Sequence, residues 1–208
     1  MMYNEDCYTT QNREIKYDYV LTSPPDYEEI GMKPGDDNYG FFLSKRLTSL
    51  APSSGYMTIF MSDRKCNGSL IQKHAIVNSI MENMGWRIST QKIWVKSTKV
   101  NLYRFNYTYI MTFYKEPPVK INPSLPDVFA IPFEKHKKYN DNFVTEVINP
   151  FILAYTKPGQ TIYDPFMRSG TTAIGCLDNG RDYIGSEIVK EVFDMSIERI
   201  TQWKEEHE

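Results

Sequence analysis

From Tyr17 to Leu21 the chain reads YDYVL, apolar and β-prone, and it stops at Thr22-Ser23-Pro24-Pro25-Asp26. A short apolar run closed by two prolines predicts a buried strand opening into a loop, because successive prolines neither extend a ladder nor sit inside a helix. Between Asn38 and Leu50 the apolar residues Phe41, Phe42, Leu43, Leu47 and Leu50 recur at helical intervals, and Pro52 and Gly55 end the run. The strand-like YMTIFM follows, then a helical pattern over His74–Met84 closed by Gly85, then a strand over Ile88–Val95. Strands alternating with helices predict a mostly parallel sheet with helices on both faces.

Another strand is predicted at Asn106–Tyr114, ended by Glu116-Pro117-Pro118; the five prolines between Pro117 and Pro132 mark a surface segment without regular structure. An amphipathic helix is expected from roughly Asp141 to Thr156, closed by Lys157-Pro158-Gly159. The strongest pattern comes next: a strand Thr161–Tyr163, the loop Asp164–Thr172, a helix through Leu177, the turn Asn179-Gly180, a strand Tyr183–Gly185, and Glu187 at its end. A strand, a tight glycine-bearing loop, a helix, a second strand and an acidic residue about 20 positions on form a unit suited to an adenosine cofactor. The backbone N–H groups at the helix start can approach the ligand, and the Glu187 carboxylate can accept from both ribose hydroxyls. The loop lacks the GxGxxG spacing, which disfavours a nicotinamide dinucleotide.

Composition changes this picture only in places. At 208 residues, 41% hydrophobic and 24% charged, the chain suits one domain over 1–208. Without an apolar stretch near the roughly 20 residues of a membrane span, and with an opening MMYNEDCYTT unlike a secretion signal, a soluble cytoplasmic protein is expected. Cys7, Cys66 and Cys176 lack metal-site or disulfide spacing and read as isolated thiols, and no metal is expected. The net charge of −2 conceals a basic middle, in which Arg87, Lys92, Lys96, Lys99, Arg104, Lys115, Lys120, Lys135, Lys137 and Lys138 face only three acidic residues. Aromatics Tyr103, Phe105, Tyr107 and Tyr109 interleave with them, a combination suited to phosphate attraction and base stacking. Lys96, Lys99, Arg104, Lys137 and Lys138 are the candidate phosphate contacts; His74, His136 and His207 read as surface histidines without a role.

The stretch DPFMRSGTTAIGCLDNGRDYIGSEI resembles the cofactor motif of the DNA amino-methyltransferases, and TSPPD resembles their catalytic [DNS]PP[YFW] motif. Because the catalytic motif comes first, the chain resembles the permuted "beta" arrangement of that family. The resemblance implies a Rossmann-like sheet of about seven strands, S-adenosylmethionine as cofactor and DNA as partner. Cofactor contacts are then expected from Asp6, Thr22, Asp164, Pro165, Phe166, Ser169, Gly170, Thr171, Thr172 and Glu187, with Asp6 near the adenine. The methyl acceptor is expected to be an exocyclic amino nitrogen, cytosine N4 ahead of adenine N6, on a base extruded from the helix. An aromatic amine is a poor nucleophile, so Ser23 Oγ and the Pro24 carbonyl would accept its protons and localise the lone pair, with the prolines holding that geometry in advance. Transfer is expected to be direct, without an enzyme-bound methyl.

Three departures from the family pattern stand out. Asp26 takes the place of the aromatic that stacks on the base, so either Tyr27 stacks instead or Asp26 contacts the base. Arg168 replaces the usual glycine and is expected to point away from the cofactor, and YNDNFVTEVI stands where many relatives carry HPxxKP before the helix. Only residues 116–140 occupy the place of a large target-recognition region, and a chain too small to surround a duplex makes a homodimer a candidate assembly. The alternatives are a methyltransferase acting on RNA or on a protein amide, and a catalytically silent nucleic-acid-binding module.

Overall fold

The computed structural model describes residues 1–99, 105–115, 124–132 and 144–207. Its elements, in chain order, begin with β1 (Met2–Tyr3), α1 (Cys7–Gln11), β2 (Tyr19–Thr22), a 3-10 turn (Tyr27–Ile30), α2 (Asn38–Leu47) and β3 (Tyr56–Met61). A hairpin of β4 (Arg64–Cys66) and β5 (Ser69–Ile71) precedes α3 (Lys73–Asn83), β6 (Arg87–Val95), β7 (Tyr107–Tyr114) and β8 (Val128–Phe129). The chain continues through α4 (Thr145–Tyr155), β9 (Thr161–Asp164), α5 (Thr171–Asp178), β10 (Asp182–Ser186) and α6 (Lys190–His207).

Eight strands form the main sheet in the order β1-β10-β9-β2-β3-β7-β6-β8. Within this sheet, among the described residues, only the two ladders made by β7 are antiparallel. All four residues of β2 and all six of β3 are buried, the signature of strands covered on both faces. Their side chains alternate between two cores. Val20, Met57 and Ile59 pack with Leu43, Leu47, Val77 and Met81 of α2 and α3 on one face. Tyr19, Leu21 and Phe60 pack with Val147, Ile148, Phe151 and Ile152 of α4 on the other. Helices therefore cover both faces, as the strand and helix periodicities predict.

Helix α5 lies against α4 at Gly175, where an added Cβ would sit 2.9 Å from Asn149 Oδ1, 2.9 Å from Ile148 Cδ1 and 3.0 Å from Ile152 Cδ1. Gly175→Ala is expected to cost about 1–3 kcal/mol through overpacking, read from urea unfolding, and a variant as stable as the parent would contradict this close approach.

The elements differ from the expected ones in instructive ways. Residues 141–143 of the predicted Asp141–Thr156 helix lie outside the described residues, and the described helix begins at Thr145. Part of the proline-rich segment is ordered: Val128 and Phe129 pair with Ile93 and Trp94, Phe129 is buried, and the Trp94 indole donates to Ile131 O at 2.7 Å. Lys92 belongs to that packing and not to the solvated charge of the basic run, since its ammonium donates to Leu125 O (2.9 Å) and Asp127 Oδ1 (3.0 Å). The β4–β5 hairpin and α6 were not expected from the pattern. The helix buries only Ser196 and Ile200 fully, so its apolar stripe is narrow.

Candidate active site

The neighbours β9 and β2 run parallel at the centre of the sheet, Tyr19 pairing with Ile162 and Val20 with Tyr163. From β2 the sheet grows toward β3, and from β9 toward β10, so the connections leave in opposite directions and open a crevice beyond the strand C-termini. Both conspicuous loops start there, Ser23–Asp26 after β2 and Pro165–Gly170 after β9. They are tied at their roots: Thr22 Oγ1 donates to Asp164 Oδ1 at 2.6 Å, Thr172 Oγ1 to Asp164 Oδ2 at 2.6 Å, and the Phe166 N–H to Asp164 Oδ1 at 3.0 Å. Burial pushes the Asp164 carboxyl up to about 6 in spite of these three donors.

A cavity of about 760 Å³ opens over this crevice and takes in both loops. Ser23, Pro24, Pro25 and Asp26 line it from one side; Asp164, Pro165, Phe166, Ser169, Thr171 and Thr172 line it from the other. Asp6, Glu187, Lys96 and Phe105 line it as well. Thr22, Gly170 and Tyr27 do not line it. Thr22 is fully buried with its hydroxyl on Asp164, so it joins the two loops and does not face a ligand. Gly170 caps α5 at a φ of 83°, with Ile200 and Ser196 of α6 against it; only glycine takes that conformation without cost.

Tyr27 cannot stand in for the missing stacking aromatic, because its ring is 1% exposed and lies on Tyr39 with centroids 4.2 Å apart. Nor is Asp26 free to read a base. Its Oδ1 accepts from the Tyr27 N–H and Lys73 Nζ, both at 2.9 Å, and its Oδ2 from Arg64 Nη1 at 3.3 Å. Asp26 and Glu29 also form a capping box on the 3-10 turn, in which Glu29 Oε2 accepts the Asp26 N–H at 2.9 Å. Burial pushes the Asp26 carboxyl up, but the Lys73 ammonium, the Tyr27 N–H and Arg64 outweigh it and hold it below its ordinary value. Tyr39 fixes the same loop by donating its hydroxyl to the Pro25 carbonyl at 2.7 Å.

On the cofactor-loop side, Glu187 Oε1 accepts from the Val189 N–H at 2.8 Å and Oε2 from the Arg168 N–H at 3.1 Å. Burial raises its pKa, with these N–H donors offsetting part of the rise. Asp6 caps α1 through the Tyr8 N–H at 3.0 Å and pairs with Arg46, whose guanidinium lies 3.8 Å from the Phe42 ring centroid. Arg168 does not simply point away: its guanidinium pairs with Glu29 across the cavity. Exposed Ile188, an apolar wall beside Glu187, was missed by the sequence reading although its position directly after the acidic strand end was a usable signal.

Of the basic candidates, Lys96 Nζ donates to Ser62 Oγ at 3.2 Å, and Lys99 is exposed on the connection between β6 and β7. Arg104, Lys137 and Lys138 lie outside the described residues, as does His136. His74 is half-buried: its Nδ1 is 2.8 Å from both oxygens of buried Asp63, and its ring stacks on Tyr109 at 4.0 Å. Burial pushes the Cys7 and Cys176 thiols up, in keeping with unreactive packing. Among the described residues no group of three or more His, Cys, Asp or Glu could hold a metal ion, and no helix is long and apolar enough to cross a membrane.

Residues 124–198 match the model of a DNA methylase family that takes in N6 and N4 enzymes. Over 58 residues the chain is 45% identical to the type II methyltransferase M.Cfr9I of Citrobacter freundii, a match covering 28% of this chain and 19% of that protein. Matches to the curated relatives compared span 19% to 38% of those proteins' lengths. Among solved structures, the cytosine-N4-specific PvuII DNA methyltransferase superposes with a TM-score of 0.80 at 16% identity, covering 98% of this chain and 90% of that one. M1.HpyAVI, solved as a complex with SAM, superposes with a TM-score of 0.73 at 21% identity, covering 96% of this chain and 98% of that one. The fold is thus that of the Rossmann-like methyltransferases. The family-model match is confined to residues 124–198, and the Ser23–Asp26 loop lies ahead of the Pro165–Gly170 loop in the chain.

Proposed function

We propose that this protein transfers a methyl group from S-adenosylmethionine to the exocyclic amino nitrogen of a DNA base, cytosine N4 ahead of adenine N6. The observation that carries the reading is one cavity walled jointly by the Ser23–Asp26 and Pro165–Thr172 loops. Its donor set fits the cofactor. Two carboxylates, Glu187 and Asp6, suit ribose hydroxyls and an adenine amino group, Phe166 and Ile188 offer apolar walls to a purine, and the N-terminus of α5 carries no side-chain cap. When bound, the cofactor supplies an electrophilic methyl group on its sulfonium.

The chain's own residues do the rest. Ser23 Oγ and the Pro24 carbonyl accept the amino protons of the target base and localise its lone pair. The two prolines, the Tyr39–Pro25 hydrogen bond and the Asp26 ion pairs hold those acceptors still, so little reorganisation accompanies the transfer. For stacking on an extruded base the cavity lining offers Phe105, half-buried, with Lys65 Nζ 4.7 Å from its centroid and the Tyr107 ring 5.2 Å away. Of the other lining aromatics, Phe60 and Trp94 are 1% and 2% exposed, and Phe166 is the one assigned to the cofactor. Lys96 and Lys99 serve the phosphates. The preference for cytosine rests on the resemblance of Ser23-Pro24-Pro25 to the motif of N4-cytosine enzymes.

The test is incubation with methyl-labelled cofactor and DNA, RNA or protein, followed by nucleoside digestion and mass analysis. Label is expected in DNA as N4-methylcytosine. Label in RNA or protein alone, or none anywhere, would overturn the reading, and N6-methyladenine would overturn the base assignment only. Ser23→Ala is expected to slow turnover about tenfold to a hundredfold with cofactor affinity unchanged, since one acceptor of the developing charge is lost.

A further inference from the structure

Arg168 holds a left-handed backbone, φ 51°, that a residue with a Cβ adopts only at a cost. Something in the fold must hold it there, and two contacts do. Its N–H donates to Glu187 Oε2, and its guanidinium reaches the carboxylate of Glu29 on the opposite wall of the cavity. Glu29 is itself bound to the catalytic-type loop, accepting the Asp26 N–H at 2.9 Å through its other oxygen. Asp26 continues the chain of contacts to Lys73 and Arg64. A connected run of charged groups therefore leads from the carboxylate proposed to hold the ribose, through Arg168 and Glu29, to the loop proposed to hold the target amine. Both Arg168 and Glu29 line the cavity and remain 48% and 36% exposed in their side chains, which puts their ion pair on its rim.

We propose that Arg168 is a positioning residue: its ion pair with Glu29 clasps the cofactor loop to the Ser23–Asp26 loop over the rim of the cavity and slows escape of the cofactor. The proposal rests on the cofactor reading given above. An exposed ion pair is a modest restraint, screened by salt, so it suits a clasp that opens in every catalytic cycle. Glycine at this position would keep the N–H that orients Glu187 and relieve the backbone, while removing the clasp alone.

The experiment measures S-adenosylmethionine and S-adenosylhomocysteine binding by calorimetry and their dissociation by stopped-flow fluorescence, at low and high salt. The proteins compared are the parent, Arg168→Gly, Arg168→Lys and Glu29→Gln. Arg168→Gly and Glu29→Gln are each expected to release cofactor about threefold to fivefold faster at low salt and at the parent rate in high salt. Lysine should restore part of the retention lost in Arg168→Gly. The ligand-free Arg168→Gly protein should melt no lower than the parent, which separates the clasp from a general loss of structure. Parent-like dissociation in Arg168→Gly or in Glu29→Gln would overturn the clasp while leaving the cofactor reading intact. A parent protein that binds neither compound would overturn both.

Discussion

Replacing Asp26 with alanine is expected to lower the free energy of unfolding by about 3–5 kcal/mol, the cost of leaving a buried cation without its counter-charge. The Lys73 side chain is only 4% exposed, and its ammonium sits 2.9 Å from Asp26 Oδ1. Alanine would strand that ammonium, release Arg64 from one of its two carboxylate partners and remove the capping interaction on the 3-10 turn. If the penalty lies in the stranded charge, adding Lys73→Met to Asp26→Ala should recover much of the loss, because an apolar side chain of similar length needs no counter-ion. Urea unfolding of the two variants beside the parent at pH 7 measures this. A single variant within about 1 kcal/mol of the parent, or a double variant no better than the single, would contradict the assignment. The pH dependence has a definite sign. Because the folded pKa of Asp26 is depressed, its stabilisation is present above the unfolded value of about 3.9 and is lost as pH falls through the folded one. The gap between parent and variant should therefore close in strong acid.

The role of Asp26 also shows what was legible in the sequence and what was not. The two loops could be read from local pattern, since Pro24-Pro25 and the Asp164–Thr172 stretch each interrupt a strand in a way only a few structures satisfy. That they meet was an inference from motif order, and the pairing of β2 with β9 supplies the geometry. Against the aromatic expected at its position, Asp26 reads either as a base-contacting side chain or as a residue whose stacking role passes to Tyr27. The competing signal lay three residues on: Asp26-Tyr27-Glu28-Glu29 has the spacing of a capping box, which predicts a carboxylate turned back onto its own backbone. The Lys73 and Arg64 partners were beyond reach, because they arrive through a hairpin too short and too polar to register as paired strands. Tyr27 illustrates the opposite limit. One aromatic beside a loop gives no clue whether it faces solvent or core, and here the ring of Tyr39, twelve positions on, takes it inward. His74 was unreadable for the same reason, its partner Asp63 standing eleven residues upstream across the hairpin.

Stability across the acid range should carry the mark of Asp164, where the expected effect is nearly as large and of opposite sign. Burial is the dominant cause of its raised pKa, ahead of the hydroxyls of Thr172 and Thr22 and the Phe166 N–H that oppose it. A folded value of about 6 against an ordinary 3.8 means that the folded protein binds this proton more tightly than the unfolded chain does. The group's contribution is then full below the unfolded pKa, declines between about pH 4 and pH 6, and is absent above that. At about 1.36 kcal/mol per pH unit the decline amounts to about 3 kcal/mol. Asp164→Asn removes the titration while keeping an oxygen for Thr22 and the Phe166 N–H and a rotatable hydroxyl partner in Thr172. Unfolding free energies of parent and variant, measured from pH 4 to pH 8, should therefore diverge: the parent's advantage shrinks by about 3 kcal/mol up to pH 6 and is then constant. A difference that stays flat across this range would show that the carboxylate is held at its ordinary pKa by its three donors, with burial overcome. The position makes the result matter for chemistry as well as for stability. Ionised, Asp164 accepts from Thr22 and Thr172 together and so ties both loops to one anion; protonated, it must donate to an acceptor, and one threonine hydroxyl must turn. The geometry drawn from Ser23 and the cofactor loop is therefore that of the ionised carboxylate, and the divergence measures the free energy spent in keeping that anion at the joint between them.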